Sequence, residues 1–121
     1  MKRRIPTIDE FISESFFSNM NVGEEAKIRA WLDKMNIKNY TINKDGVDVK
    51  GNVEISNRNL VEIPIKFNKV GGDFYCDNNK LTSLEGAPEK VGGSFYCYNN
   101  KAQFTEEDVR KVSNVKGEIV V

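Results

Sequence analysis

"VGGDFYCDNNKLTSLEGAPEK" begins at Val70, and "VGGSFYCYNNK" begins again 21 positions later at Val91. A single globular core gives a chain no reason to repeat itself in this way. A stack of equivalent coils does, because each coil must offer its neighbour the face that it was itself offered. The repeat extends further back. Laid over the Val70 copy, "VKGNVEISNRNLVEIPIKFNK" pairs Val49 with Val70, Gly51 with Gly72, Val53 with Phe74, Ile55 with Cys76, Leu60 with Leu81 and Ile63 with Leu84. The third copy keeps Gly93, Phe95, Cys97 and Asn99 and then breaks at Ala102. The terminal "VKGEIVV" resumes it, with Gly117 in the glycine position and Ile119 in that of Phe95. The expected fold is therefore an α/β solenoid of about three 21-residue repeats, with one strand per coil and atypical ends that shield the core.

Those ends have their own signals. Residues 1–20 form a leader in which Thr7 and Glu10 make a capping box and Ile8, Phe11 and Ile12 share a helical face. Asn21 and Glu24 make a second cap. Ile28, Trp31, Leu32 and Met35 then recur at helical spacing, so residues 21–48 read as a helix followed by a hairpin that turns at Asp45-Gly46. Repeats occupy 49–104. Residues 105–121 form a closing helix and strand, with Thr105 and Asp108 capping the helix and Val109 and Val112 on its apolar side.

The repeat also carries a resemblance. Phe74, Cys76, Asn79 and Leu81, continued by Leu84 and Pro88, resemble the leucine-rich repeat in its short bacterial and phage form, over roughly residues 47–121. Arg58 and Ala102 depart from that pattern and shorten the regular array. The resemblance implies stacked parallel strands and a binding surface, and leaves the ligand open. "TIDEFISE", Thr7 to Glu14, is similar to the amino-terminal tag that directs internal head proteins of large tailed phages into the prohead. That likeness implies a processing site at Ile12-Ser13-Glu14, with the cut between Glu14 and Ser15.

Composition narrows the chemistry. Eighteen basic residues balance 18 acidic ones, so no global field draws the chain to nucleic acid or to a membrane surface. No apolar run approaches the roughly 20 residues of a membrane span. Histidine is absent, which removes the commonest general base and metal ligand together. Cys76 and Cys97 are the two cysteines. They occupy equivalent inward positions, where a thiol behaves as a small hydrophobe, and they lack the further ligands a metal needs. No cofactor and no metal is expected, and the thiols fit a reducing cytosol.

Period-two alternation turns a different set outward: Asn52, Glu54 and Ser56, then Asp73, Tyr75 and Asp77, then Ser94, Tyr96 and Tyr98, then Glu118 and Val120. Tyr75, Tyr96 and Tyr98 with Glu54, Asp73 and Asp77 are the candidate partner-binding residues, since tyrosine combines apolar area with a polar tip and is enriched where proteins dock. Catalysis fits poorly. Asp73 and Asp77 stand about 13 Å apart along a strand, and Glu54 and Asp73 about 8 Å apart across two, on a face with no pocket. Three functions remain open. The first is a monomeric, non-enzymatic module that binds a protein, a host factor in the infected cytoplasm under the phage resemblance. The second is a protein packaged inside the virion head. The third is a weak glycan-binding or glycan-cleaving domain.

Overall fold

The structure is a computed structural model that describes residues 22–121. The leader helix, the processing site and the Asn21 cap lie outside the described residues. The first described element is α1, Val22–Lys34. Glu24 and Glu25 occupy its first turn and Lys34 its last, both favourable to the helix dipole. An Arg29–Glu25 pair at 2.8 Å braces the exposed side, while Ile28, Leu32 and Met35 are buried on the other. Asn36 ends the helix by entering the left-handed region at φ 61°, and the Ile37 N–H reaches back to the Leu32 carbonyl at 2.9 Å.

The hairpin follows, with β1 at Tyr40–Asn43 and β2 at Gly46–Val49 in antiparallel register. Gly46 sits at φ 128°, and a Cβ there would stand 2.8 Å from the Lys66 carbonyl oxygen, so both its conformation and its neighbour demand glycine. From here the chain coils as a β-solenoid. Each coil carries two short strands rather than the single one expected. β3 (Val53–Glu54), β5 (Phe74–Tyr75), β7 (Phe95–Tyr96) and β9 (Ile119–Val120) stack as one parallel sheet. β4 (Phe67–Val70), β6 (Lys90–Val91) and β8 (Asn114–Val115) continue the hairpin as a second, in the order β1-β2-β4-β6-β8. The pairings Val49 with Val70, Val53 with Phe74 and Phe95 with Ile119 are those of the sequence alignment.

A corner at the glycine pair separates the two sheets. These glycines answer to a steric constraint. A Cβ on Gly71 would collide with the Lys50 carbonyl oxygen of the coil before, and one on Gly92 with the Gly71 carbonyl oxygen. Gly72 and Gly93 are crowded by the Asn52 and Asp73 side chains. Gly51 belongs to the first coil and has nothing within 4 Å. At Gly71 and Gly92 the backbone of the coil beneath thus demands glycine, while the last coil carries Lys116 at the same register.

The core runs along the stack. Trp31, Phe67, Phe74 and Phe95 form a continuous series of ring contacts at 6.4, 5.5 and 5.1 Å, tying α1 to both sheets. Each such contact adds about 0.5–1.5 kcal/mol to the burial of the rings themselves. Ile55, Leu81, Leu84 and both cysteines fill the space beside them, and Leu60 is half-buried at its margin. The turns are closed by asparagine. Asn79 donates to the Ile55 and Cys76 carbonyls and accepts from the Arg58 and Leu60 N–H groups, so its burial leaves no polar atom stranded. Asn100 repeats the scheme one coil on. Asn57, Asn78 and Asn99 precede these positions at φ 57–60°, where asparagine is the best tolerated residue after glycine.

Helix α2, Glu106–Val112, closes the array with the expected capping box: the Thr105 hydroxyl accepts from the Asp108 N–H, and the Asp108 carboxylate from the Thr105 N–H. Only half of its apolar pair is used. Val109 is fully buried, whereas Val112, the last residue of the helix, is exposed.

Candidate binding face

The sheet β3-β5-β7-β9 turns its outward side chains to solvent beside the corner. Register places Glu54, Tyr75, Tyr96 and Val120 in one column across the strands. Tyr75 and Tyr96 stack face to face, with ring centroids 4.5 Å apart and planes 7° from parallel. Both are half-buried by this contact. The Tyr75 hydroxyl donates to Asp73 Oδ2 at 3.1 Å, which fixes the ring's torsion as well as its plane. Desolvation in the stack, with the Asp73 carboxylate as the next cause, pushes the Tyr75 phenol up to about 12.

Tyr98 lies two residues beyond the stack and is 40% exposed. It makes no ring contact with the pair among the described residues, so the three tyrosines form a stacked pair with a separate neighbour rather than one ladder. The charge of Asp77 is the main cause that raises the Tyr98 phenol.

The carboxylates divide sharply. Glu54 is exposed, as expected. Asp77 is not a rim residue: it is 4% exposed, with Oδ1 accepting from the Ser56 hydroxyl and Oδ2 from the Asn78 amide, each at 2.8 Å. Alternation had placed it outward in solvent, but Ser56 of the preceding coil and the adjacent Asn78 take up its oxygens. Asp73 is likewise committed. Its Oδ1 accepts from the Ser94 N–H at 2.7 Å and its Oδ2 from Tyr75. Both of its oxygens thus have partners within the fold.

Asp73 belongs to a ladder that sequence reasoning missed. Asn52 Oδ1 accepts from the Asp73 N–H, Asp73 Oδ1 from the Ser94 N–H, and Ser94 Oγ from the Glu118 N–H. Each outward side chain at this position caps the backbone of the next coil. The recurrence of Asn52, Asp73 and Ser94 immediately after Gly51, Gly72 and Gly93 was the available signal, since all three accept hydrogen bonds with a short side chain. The free acids of the face are therefore Glu54 and Glu118, both exposed, at opposite ends of the tyrosine stack.

Two grooves lie elsewhere. One of about 590 Å³ follows the asparagine edge past Lys80 and Lys101, and one of about 640 Å³ lies along the return segment at Ile63, Pro64 and Gly86. Cys76 and Cys97 sit directly behind the tyrosines, buried and unbridged. Burial pushes both thiols up, Cys97 to about 11. No described helix is long and apolar enough to cross a membrane. No family model, curated protein or solved structure matches this chain.

Proposed function

We propose that this chain is a non-enzymatic protein-binding module that docks its partner on the β3-β5-β7-β9 face. The observation that carries this reading is the parallel Tyr75–Tyr96 stack with its hydroxyl tethered to Asp73. Side chains ordered before binding lose little conformational entropy when a partner arrives, and rigid tyrosines near the centre of a patch are the usual anchors of protein interfaces. The face is open to solvent at Glu54, Tyr98 and Glu118, so a partner would reach the stack without rearranging the coil. In the phage setting suggested by the repeat resemblance, that partner is a protein of the host cell.

The test compares capture by wild-type protein with capture by the Tyr75→Ala/Tyr96→Ala/Tyr98→Ala variant from lysate of candidate host bacteria. A specific partner retained by the first and lost by the second, with circular dichroism and melting unchanged, is the expected result. Loss of such anchors is worth roughly 2 kcal/mol or more each, or about 30-fold in affinity. Capture at full strength by a folded triple variant would move the binding site to the asparagine edge around Lys80 and Lys101.

A further inference from the structure

We infer that the occupant of this face is an extended basic segment of the partner, with two cationic side chains four or five residues apart that straddle the tyrosine stack. The inference rests on the tyrosine face as the binding surface and adds the chemistry of what it holds.

The argument starts from which groups are left over. Asp73 and Asp77 are consumed by hydrogen bonds within the fold, leaving Glu54 and Glu118 as exposed carboxylates. No lysine or arginine occupies an outward position on the four strands, so both acids face solvent without a countercharge on their own sheet. Tyr75 uses one ring face against Tyr96. Its other face is turned toward the coil of Glu54, its register partner. A guanidinium or ammonium laid there meets the negative face of a tyrosine whose ring is already fixed, with a carboxylate alongside. A neutral or acidic segment would leave Glu54 and Glu118 desolvated and unpaired, which is costly at any interface.

Spacing sets the length. Glu54 and Glu118 are separated by three strand steps across the sheet and two residues along it, about 16 Å by ordinary strand dimensions. An extended chain covers that distance in about five residues. Between the two cations the segment crosses the ring edges of Tyr75 and Tyr96, where small or apolar side chains fit best.

The experiment uses the full chain and three capped hexapeptides, followed by the ring resonances of Tyr75 and Tyr96. The first has arginines at both ends of a Ser-Gly-Ser-Gly spacer, the second has glutamates in their place, and the third has both arginines adjacent at one end. The first should bind with salt-sensitive affinity, the second should not, and the third should bind about threefold more weakly than the first. Glu54→Gln and Glu118→Gln should each weaken the first peptide by about three- to fivefold, the scale of an exposed cation–π or ion-pair contact. Equal binding of basic and acidic peptides, lost in Tyr75→Leu, would leave the face standing and overturn the cationic occupant. Failure of the basic peptide to bind would overturn it too. Binding of that peptide undiminished in Tyr75→Leu would overturn both the inference and the face. Self-association of the protein that Glu54→Gln abolishes would seat the Lys69 and Lys90 side of a second copy there instead, and would also overturn it.

Discussion

The two sheets share one backbone plan and treat one outward cross-strand pair in opposite ways. Across β4 and β6, Lys69 stands directly opposite Lys90, and both are exposed. Like charges in that position repel, so the pair stays in water and is held by nothing. Across β5 and β7, one corner away, Tyr75 stands opposite Tyr96 and the two are locked by stacking and by Asp73. The coil tolerates either arrangement, as the lysines show. An ordered pair at this register is therefore not a requirement of the solenoid, and the tyrosine stack adds the stabilisation of a cross-strand aromatic pair where the lysines add none.

The corner where the sheets meet is the place to break the comparison first. Gly92→Ala would drive a Cβ into the Gly71 carbonyl oxygen, a backbone atom that cannot swing aside. It should cost about 3 kcal/mol, the upper part of the range for overpacking, and loosen both sheets together. Gly51→Ala has open space around it and should be close to neutral. Chemical denaturation of the two variants measures the difference. Equal costs would mean that the corner glycines answer to local backbone conformation rather than to the coil beneath.

That contrast also marks what the sequence disclosed. The repeat, the hairpin at Asp45-Gly46, the capping box at Thr105 and Asp108, the return of Gly117 to register and the inward cysteines were all legible, because each depends on local chemistry or on a recurring spacing. The second sheet was not. The run from Val70 to Cys76 alternates as one strand would, and only the carbonyl oxygens of the preceding coil reveal that Gly71 and Gly72 bend it into two. The binding face was half legible. Alternation shows which way Asp77 and Asp73 point, but not that Ser56 and Ser94 of adjoining coils, with Asn78 and Tyr75 of the same coil, claim their oxygens. Bonding between adjoining coils is a three-dimensional fact that the period-two pattern does not encode.

Behind the tyrosines, the core should respond more than the lysine face does. Cys76→Ala removes a fully buried sulfur from beside Phe74 and should cost about 1–2 kcal/mol. Lys69→Ala, on the other sheet, should stay within about 0.5 kcal/mol. The same burial that raises both thiols withholds the reactive thiolate, so maleimide or disulfide reagents at pH 8 should label the native protein slowly and the denatured protein at once. Rapid native labelling would show that the β3-β5-β7-β9 sheet opens in solution, and the rigidity assigned to its outer face would go with it.

The smallest effect probes the tyrosine tether directly. The Tyr75 phenol is pushed up to about 12, by desolvation in the stack first and by Asp73 second. An acid whose folded value lies above its unfolded value, here about 10, is held neutral by the fold. Its contribution to stability is then fully present below pH 10 and is lost as pH rises toward 12, because the unfolded chain releases its proton first. Ultraviolet titration at the tyrosinate band should show Tyr75 as the latest phenol, and Asp73→Asn should bring it to lower pH by removing the carboxylate's charge. Desolvation by Tyr96 remains in that variant, so the shift should be partial. Tyr96→Ala should remove most of the remainder. A Tyr75 that titrates with the others in wild-type protein would mean that the stack is not maintained in solution, and the two sheets would then present equally mobile surfaces.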